Sequence, residues 1–130
     1  VAYNDSAGNA EVVPVIIFQG TADEVVKPAN ANLILSQWAQ TNDLASDGLD
    51  NDDIDDVAEE IINAQVPDGH SYTKSTYEDS DANLIMEKYM IKGMGHAWSG
   101  GSAEGFWTDP NGPDASRLMW DFFKKTSKNN

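Results

Sequence analysis

Two stretches of the chain carry residues that could move protons. Residues 93–101 form a glycine-rich loop that holds His96, one of only two histidines in the sequence. Glycines let a backbone turn sharply and approach a ligand, and histidine is the side chain best suited to carry protons near neutral pH. The other stretch, residues 19–26, is a turn that contains Asp23. A carboxylate that orients a histidine would allow it to act as a general base.

The elements before these two residues indicate how they could meet. Residues 12–18 are a continuous run rich in β-branched side chains, typical of a strand buried on both faces of a parallel sheet. Residues 84–91 predict a second strand, which leads into the loop of His96. Asp23 and His96 thus each follow the carboxyl end of a strand, where open α/β sheets bind ligands. They correspond to the last two members of an α/β-hydrolase triad, whose chain order is serine, acid, histidine.

Two amphipathic helices are predicted beside the strands. Each has apolar residues at i, i+3, i+4 and i+7, which pack on the sheet. These residues are Ala31, Ile34, Leu35 and Trp38 in the first helix and Ala115, Leu118, Met119 and Phe122 in the second. Residues 72–78 are predicted to pair with residues 84–91 as a hairpin, and residues 57–64 to form a short helix. The order of elements indicates an α/β fold.

A strongly acidic segment, at about residues 42–56, interrupts this pattern and is interpreted as a solvated insertion. Calcium is the alternative, because it takes six to eight oxygen ligands, and Asp47, Asp50, Asp52 and Asp53 are the candidate ligands. The spacing does not match an EF-hand loop. With Asp50 at position one, the fifth position is an isoleucine, and the glycine and terminal glutamate are missing.

The composition excludes several classes of protein. A net charge of −14 argues against a nucleic-acid partner and disfavours anionic membranes, because phosphate groups need a basic surface. The chain has no cysteine, which excludes disulfides, thiolate metal sites and a cysteine nucleophile. No apolar run is long enough to span a bilayer, and no signal sequence is present in this sequence. The length of 130 residues suits one domain.

Two other candidate residues are set aside. Ser6 lies in a partial G-x-S-x-G pattern, residues 4–8, but its first glycine is replaced by Asn4. This pattern also precedes a strand, whereas a nucleophile elbow follows one and opens a helix. His70 follows a Pro-Asp-Gly turn with no glycine-rich setting, and it is predicted to be exposed.

Three motifs in the same order resemble the C-terminal half of the polyhydroxybutyrate depolymerase family of esterases, which includes feruloyl and acetylxylan esterases. They are residues 14–26, residues 93–101, and residues 109–116 followed by Phe122 and Phe123. The match extends over nearly the whole chain. It implies an α/β-hydrolase fold, a three-layer sheet with flanking helices, of which residues 1–130 are the C-terminal portion. One departure is Gln19, where the family usually has histidine.

The resemblance implies a secreted, extracellular serine esterase that acts on polyhydroxyalkanoate or on ester-decorated polysaccharide without a metal or organic cofactor. Asp23 would be the triad acid and His96 the triad base, and Trp98 is a candidate substrate-binding residue. The serine and the oxyanion loop are expected upstream of Val1. The chain alone should therefore lack activity, and it should self-associate or bind the missing N-terminal half of the same enzyme.

Two alternatives remain open from the sequence. A peptidase or acylpeptide hydrolase of the same fold would share the strand, turn and aspartate. A non-catalytic acidic module would instead bind calcium through residues 47–56.

Overall fold

The computed structural model describes residues 10–127. The partial elbow at residues 4–8 lies outside the described residues. The elements are β1 (Val15–Gly20), α1 (Ala29–Asp47), β2 (Glu60–Gln65), β3 (Ser71–Glu78), β4 (Leu84–Ile91), β5 (Trp98–Ser99), β6 (Thr108–Asp109) and α2 (Ala115–Thr126). They form a small mixed α/β domain.

The main sheet has four strands in the order β1-β4-β3-β2. β1 and β4 run parallel, with Gly20 opposite Ile91 at their carboxyl ends. β3 pairs antiparallel with both β4 and β2, so the hairpin predicted for residues 72–78 and 84–91 is confirmed. A separate two-stranded sheet joins β5 to β6.

The helix predicted over residues 57–64 is wrong, because Glu60–Gln65 form the edge strand β2. The apolar pattern there is too short to distinguish a helical period from an alternating one. Ile61 and Ile62 are β-branched residues that fit an extended backbone, and β3 supplies hydrogen-bond partners along the full length of β2. A neighbouring strand decides the structure of this segment.

The two helices pack on opposite faces of the sheet. Successive strand residues point to opposite faces, and in β1 Val15 and Ile17 pack with the cluster that includes Leu35 of α1. Ile16 and Phe18 instead pack with Tyr89 and with Leu118 of α2, and the Phe18 and Tyr89 rings stack at a centroid distance of 4.8 Å. The arrangement is helix, sheet, helix.

The helix α1 is longer than the sequence pattern indicates. It continues to Asp47, so the first six residues of the acidic segment are helical, and it ends at Gly48, whose φ of 80° is the left-handed C-cap conformation. Ala31, Leu35 and Ala39 are its buried apolar residues, and Trp38 packs against the same core. The predicted core position of Ile34 is wrong, since its side chain is 42% exposed.

The rest of the acidic segment packs on the domain. Ile54 lies in the core at 2% exposure, and the Asp43 side chain on α1 is buried. A Val13–Asn42 pair also ties α1 to the residues before β1, because the Asn42 amide accepts from Val13 N and donates to Val13 O. Neither described helix is long and apolar enough to cross a bilayer.

Candidate active site

Asp23 is held in a tight turn three residues after β1. Its Oδ1 accepts hydrogen bonds from the backbone N–H groups of Val25, at 2.9 Å, and Val26, at 2.8 Å. The side chain is buried. One carboxylate oxygen thus shapes the turn, and Oδ2 is left for another partner.

Gln19 closes the same turn from the end of β1. Its Nε2 donates to the carbonyl oxygens of Gly20 and Val26, each at 3.0 Å. The residue is 7% exposed. The family usually has histidine at this position. Here the glutamine amide stabilises the turn of Asp23 by its hydrogen bond to the Val26 carbonyl.

Three hydrogen bonds, two of them between backbone groups, join the end of β4 and the loop of His96 to the turn of Asp23. Thr21 N donates to Ile91 O at 2.9 Å and Ala22 N to Met94 O at 3.0 Å, while Gly93 N donates to the Thr21 hydroxyl at 2.9 Å. Because β1 and β4 are parallel neighbours, the turns that follow them meet at one edge of the sheet.

Asp23 and His96 are in direct contact at this edge. Nδ1 of His96 lies 3.0 Å from Oδ2 of Asp23. The histidine side chain is 47% exposed, whereas the aspartate side chain is only 9% exposed. Burial raises the pKa of the Asp23 carboxyl, but hydrogen bonds from Val26, His96 and Val25 outweigh it and keep that pKa below its ordinary value. The acid is therefore held as a carboxylate that accepts from the imidazole.

This contact gives the imidazole a defined orientation. With Nδ1–H donated to Asp23, Nε2 of His96 carries the lone pair and can accept a proton. Among residues 10–127, no serine or threonine hydroxyl is hydrogen-bonded to the His96 ring. The pair can accept and return protons.

An apolar cleft of about 600 Å³ opens beside His96, lined by Val25, Ala97, Trp98 and Trp107. The Trp107 ring contacts the His96 ring edge-on at a centroid distance of 6.3 Å. Both tryptophans are well exposed, Trp98 at 46% and Trp107 at 71%. The structure thus places Trp98 in the wall of the cleft next to His96.

The second histidine is also paired with an aspartate, and the prediction that it is exposed is wrong. Nε2 of His70 lies 2.8 Å from Oδ2 of Asp109, with the two side chains 23% and 22% exposed. His70 precedes β3, whose antiparallel pairing with β4 brings it to the same edge of the sheet as His96. The aspartate lies 39 residues further along the chain, so a local pattern could not reveal this contact.

The acidic segment brings one group of carboxylates together. Asp43, Asp50 and Asp52 each place one oxygen within 4.8 Å of the others. Of the four candidate calcium ligands, this group contains Asp50 and Asp52. Asp47 and Asp53 are not part of it, and Asp47 accepts from Leu49 N and from the Asn51 amide, which lowers the pKa of its carboxyl.

Asp43 was not a candidate from the sequence, and its role is structural. Oδ2 accepts from the N–H groups of Asn51 and Asp52, and Oδ1 accepts from Ile54 N at 3.1 Å. The residue is 1% exposed. Both oxygens are therefore engaged in folding the acidic loop onto α1.

Trp107 is the residue of the cleft that sequence reasoning missed. The only local signal is an adjacent aromatic pair, Phe106 and Trp107, in an otherwise polar loop. That Trp107 faces His96 follows from the pairing of β5 with β6, in which Trp98 N donates to Trp107 O at 2.7 Å.

No protein-family model matches the chain, and no curated protein has significant sequence similarity to it. The resemblance to the polyhydroxybutyrate depolymerase family stays a prediction that depends on the three motifs and their order.

Proposed function

We propose that this chain is the C-terminal catalytic portion of an α/β-hydrolase serine esterase, to which it contributes the triad acid Asp23 and the triad base His96. The observation that supports this most directly is the 3.0 Å contact between His96 Nδ1 and Asp23 Oδ2. It joins the turns that follow two parallel neighbouring strands, which is where α/β-hydrolases have these residues.

In the proposed mechanism Asp23 keeps Nδ1 of His96 protonated and stabilises the imidazolium that forms during the reaction. Nε2 takes the proton of a serine hydroxyl as the serine attacks the ester carbonyl, and then gives it to the leaving alcohol. In the second half of the reaction, water attacks the acyl-enzyme. Nε2 of His96 takes a proton from the water and then returns it to the serine oxygen as the acid product leaves. We place the serine and the oxyanion donors in a segment of the enzyme N-terminal to Val1, as the family resemblance implies, and among residues 10–127 no hydroxyl is hydrogen-bonded to His96.

The cleft beside His96 supports an ester as the substrate. Its wall is aromatic and aliphatic, and among the described residues the histidine is the one acidic or basic side chain that lines it, so it suits the uncharged acyl or alcohol part of an ester. A polyester or an ester-decorated polysaccharide, acted on outside the cell, is the substrate that the family resemblance favours.

The deciding experiment uses the complete enzyme, with the segment upstream of Val1 included. We expect it to hydrolyse short-chain p-nitrophenyl esters and to be labelled by a fluorophosphonate, which reports an activated serine. His96→Ala should lower kcat by several orders of magnitude, and Asp23→Asn by about 10⁴ because the imidazole loses the correct tautomer. An unchanged rate in His96→Ala would refute the assignment.

A control variant and a second substrate class sharpen the result. Glu24→Gln removes a charge directly beside Asp23 from an exposed side chain, and it should leave kcat close to the wild-type value. Acyl-peptides assayed in parallel test the peptidase alternative, which would be favoured if they were cleaved faster than the esters.

A further inference from the structure

We infer that His70 is a positioning residue for His96: it fixes the loop that holds Trp107 against the imidazole. The catalytic consequence of this inference rests on the proposed function, whereas the contact itself can be tested without any activity. The residues that carry it are His70, Asp109 and Trp107.

His70 makes two hydrogen bonds, one to the end of β6 and one to the turn that follows it. Its backbone N–H donates to Asn111 O at 2.9 Å, and its ring Nε2 lies 2.8 Å from Asp109 Oδ2. The other oxygen of Asp109 accepts from Asn111 N at 3.0 Å. The Asp109–Asn111 turn is thus clamped by one histidine through both its backbone and its side chain.

The turn that His70 holds is connected to residues that line the cleft, by a hydrogen bond to the residue after β5 and by the chain itself to Trp107. Asp109 O accepts from Gly100 N at 2.8 Å, and β6 pairs with β5, which begins two residues after His96. Trp107, whose ring contacts His96, immediately precedes β6. A displacement of Asp109 would therefore move the tryptophan that borders the imidazole.

His70 also lies against the start of the same loop. A Cβ added to Gly93 would stand 3.7 Å from Nδ1 of His70, which is ordinary van der Waals contact. Gly93 begins the glycine-rich loop of His96 and donates its N–H to the Thr21 hydroxyl. His70 therefore lies beside the entry of the His96 loop and is hydrogen-bonded to the end of β6, the strand that flanks its exit.

The aromatic residues of the loop that His70 fixes are largely exposed. Phe106 is 98% exposed and Trp107 is 71% exposed, so burial contributes little to holding this segment. Hydrogen bonds must set its position, and those of His70 connect it to the edge of the main sheet at β3. Precise placement of groups around a catalytic base matters because small displacements have large effects on rate.

The test reads the His96 imidazole directly by NMR. The sequence has only two histidines, so in His70→Ala the single remaining Cε1–H resonance belongs to His96. Trp107→Leu gives the reference shift for an imidazole without the tryptophan ring current. We expect His70→Ala to move the His96 resonance most of the way to that reference.

Two further variants separate positioning from a general loss of structure. His70→Gln retains an Nε2 donor for Asp109 and should return the resonance to the wild-type position. Arg117→Ala removes an exposed ion pair with Asp121 on α2 and should leave it unmoved. A His70→Ala resonance at the wild-type position would overturn the inference.

If the His70→Ala variant does not fold, measurements on the wild-type chain can still test the inference. Amide hydrogen exchange should show that the N–H groups of His70 and Gly100 are protected, and an NOE should join the His96 and Trp107 rings. Unprotected amides or a missing NOE would overturn the clamp.

In the complete enzyme His70→Ala should lower kcat by up to roughly a hundredfold, with recovery in His70→Gln. The two hypotheses fail separately. If the His96→Ala enzyme were active, the esterase assignment would be wrong, and the NMR result would be unaffected. If the His96→Ala enzyme were inactive but the His96 resonance did not move in His70→Ala, only the positioning role would be wrong.

Discussion

Gly20 lies directly against the backbone of Met94. A methyl group added at Gly20 would overlap the Met94 carbonyl oxygen and would stand 2.7 Å from its carbonyl carbon. This close approach lets Ala22 N donate to Met94 O at 3.0 Å. It brings the turn of Asp23 and the loop of His96 together.

Replacing Gly20 with alanine should therefore destabilise the domain. We expect the free energy of unfolding to fall by about 1–3 kcal/mol, since the backbone of either turn must move. Urea denaturation measures the change. Gly95→Ala is the matched control, because a Cβ there meets no heavy atom within 4 Å, and it should change stability by less than about 0.5 kcal/mol. Equal losses in both variants would contradict the close packing.

Asp23 should contribute to stability in a defined range of pH. Its pKa is lower in the folded chain than in the unfolded one, so its ionisation stabilises the fold above the ordinary value of about 3.9 and this contribution disappears as pH falls through the folded pKa. Denaturation of the wild type and of Asp23→Asn should show a stability difference that shrinks below about pH 4. A difference that grows on acidification would contradict the hydrogen bonds assigned to this carboxylate.

The Asp43 carboxylate should be essential for folding the acidic segment. Asp43→Ala removes the acceptor of three backbone N–H groups from a side chain that is almost fully buried. We expect a loss of about 2–5 kcal/mol in the free energy of unfolding. Asp50→Ala, at an exposed position of the same segment, should cost less than about 0.5 kcal/mol. A neutral Asp43→Ala would mean that those N–H groups find other acceptors.

Calcium should not bind the acidic segment tightly. Both Asp43 oxygens already accept backbone hydrogen bonds, and the exposed Asp50 and Asp52 provide few of the six to eight oxygens that calcium takes. We expect no binding heat in calorimetric titration and the same Tm in calcium chloride and in a chelator. A calcium-dependent rise in Tm that Asp50→Ala abolishes would instead favour the calcium-binding alternative.

The chain by itself should self-associate through the side of β1 away from β4. Among the described strands, β4 is the one paired with β1, and Leu33 and Ile34 of α1 are 59% and 42% exposed. An unpaired edge invites another chain, and exposed apolar surface costs about 25 cal/mol per Å² in water. The net charge of −14 should limit the product to a small oligomer.

Light scattering at low and high salt tests this expectation, and Leu33→Lys should weaken the association. Addition of the N-terminal half of the enzyme should dissociate the oligomer, because that half would pair with the free edge of β1 in place of a second copy of the chain. A monomer at both salt concentrations would contradict the prediction.

The sequence alone predicts the parts of the site that local patterns encode. The apolar run of β1 and the strand before the glycine-rich loop are recognisable because side-chain type and alternation act over a few residues. Asp23 and His96 follow those strands directly, so their placement at one edge of a parallel pair could be inferred. The two helices follow from the same reasoning, apart from the end of α1.

Tertiary structure decided what depends on partners far away in the chain. Residues 60–65 became a strand because β3 offered hydrogen bonds, and Asp43 became a buried residue because three N–H groups of a later loop converge on it. His70 is hydrogen-bonded to an aspartate 39 residues away, and Trp107 lies against His96 because β5 pairs with β6. A local pattern sets the intrinsic preference of a segment, whereas the free energy of pairing and burial belongs to both partners and exists only once the fold brings them together.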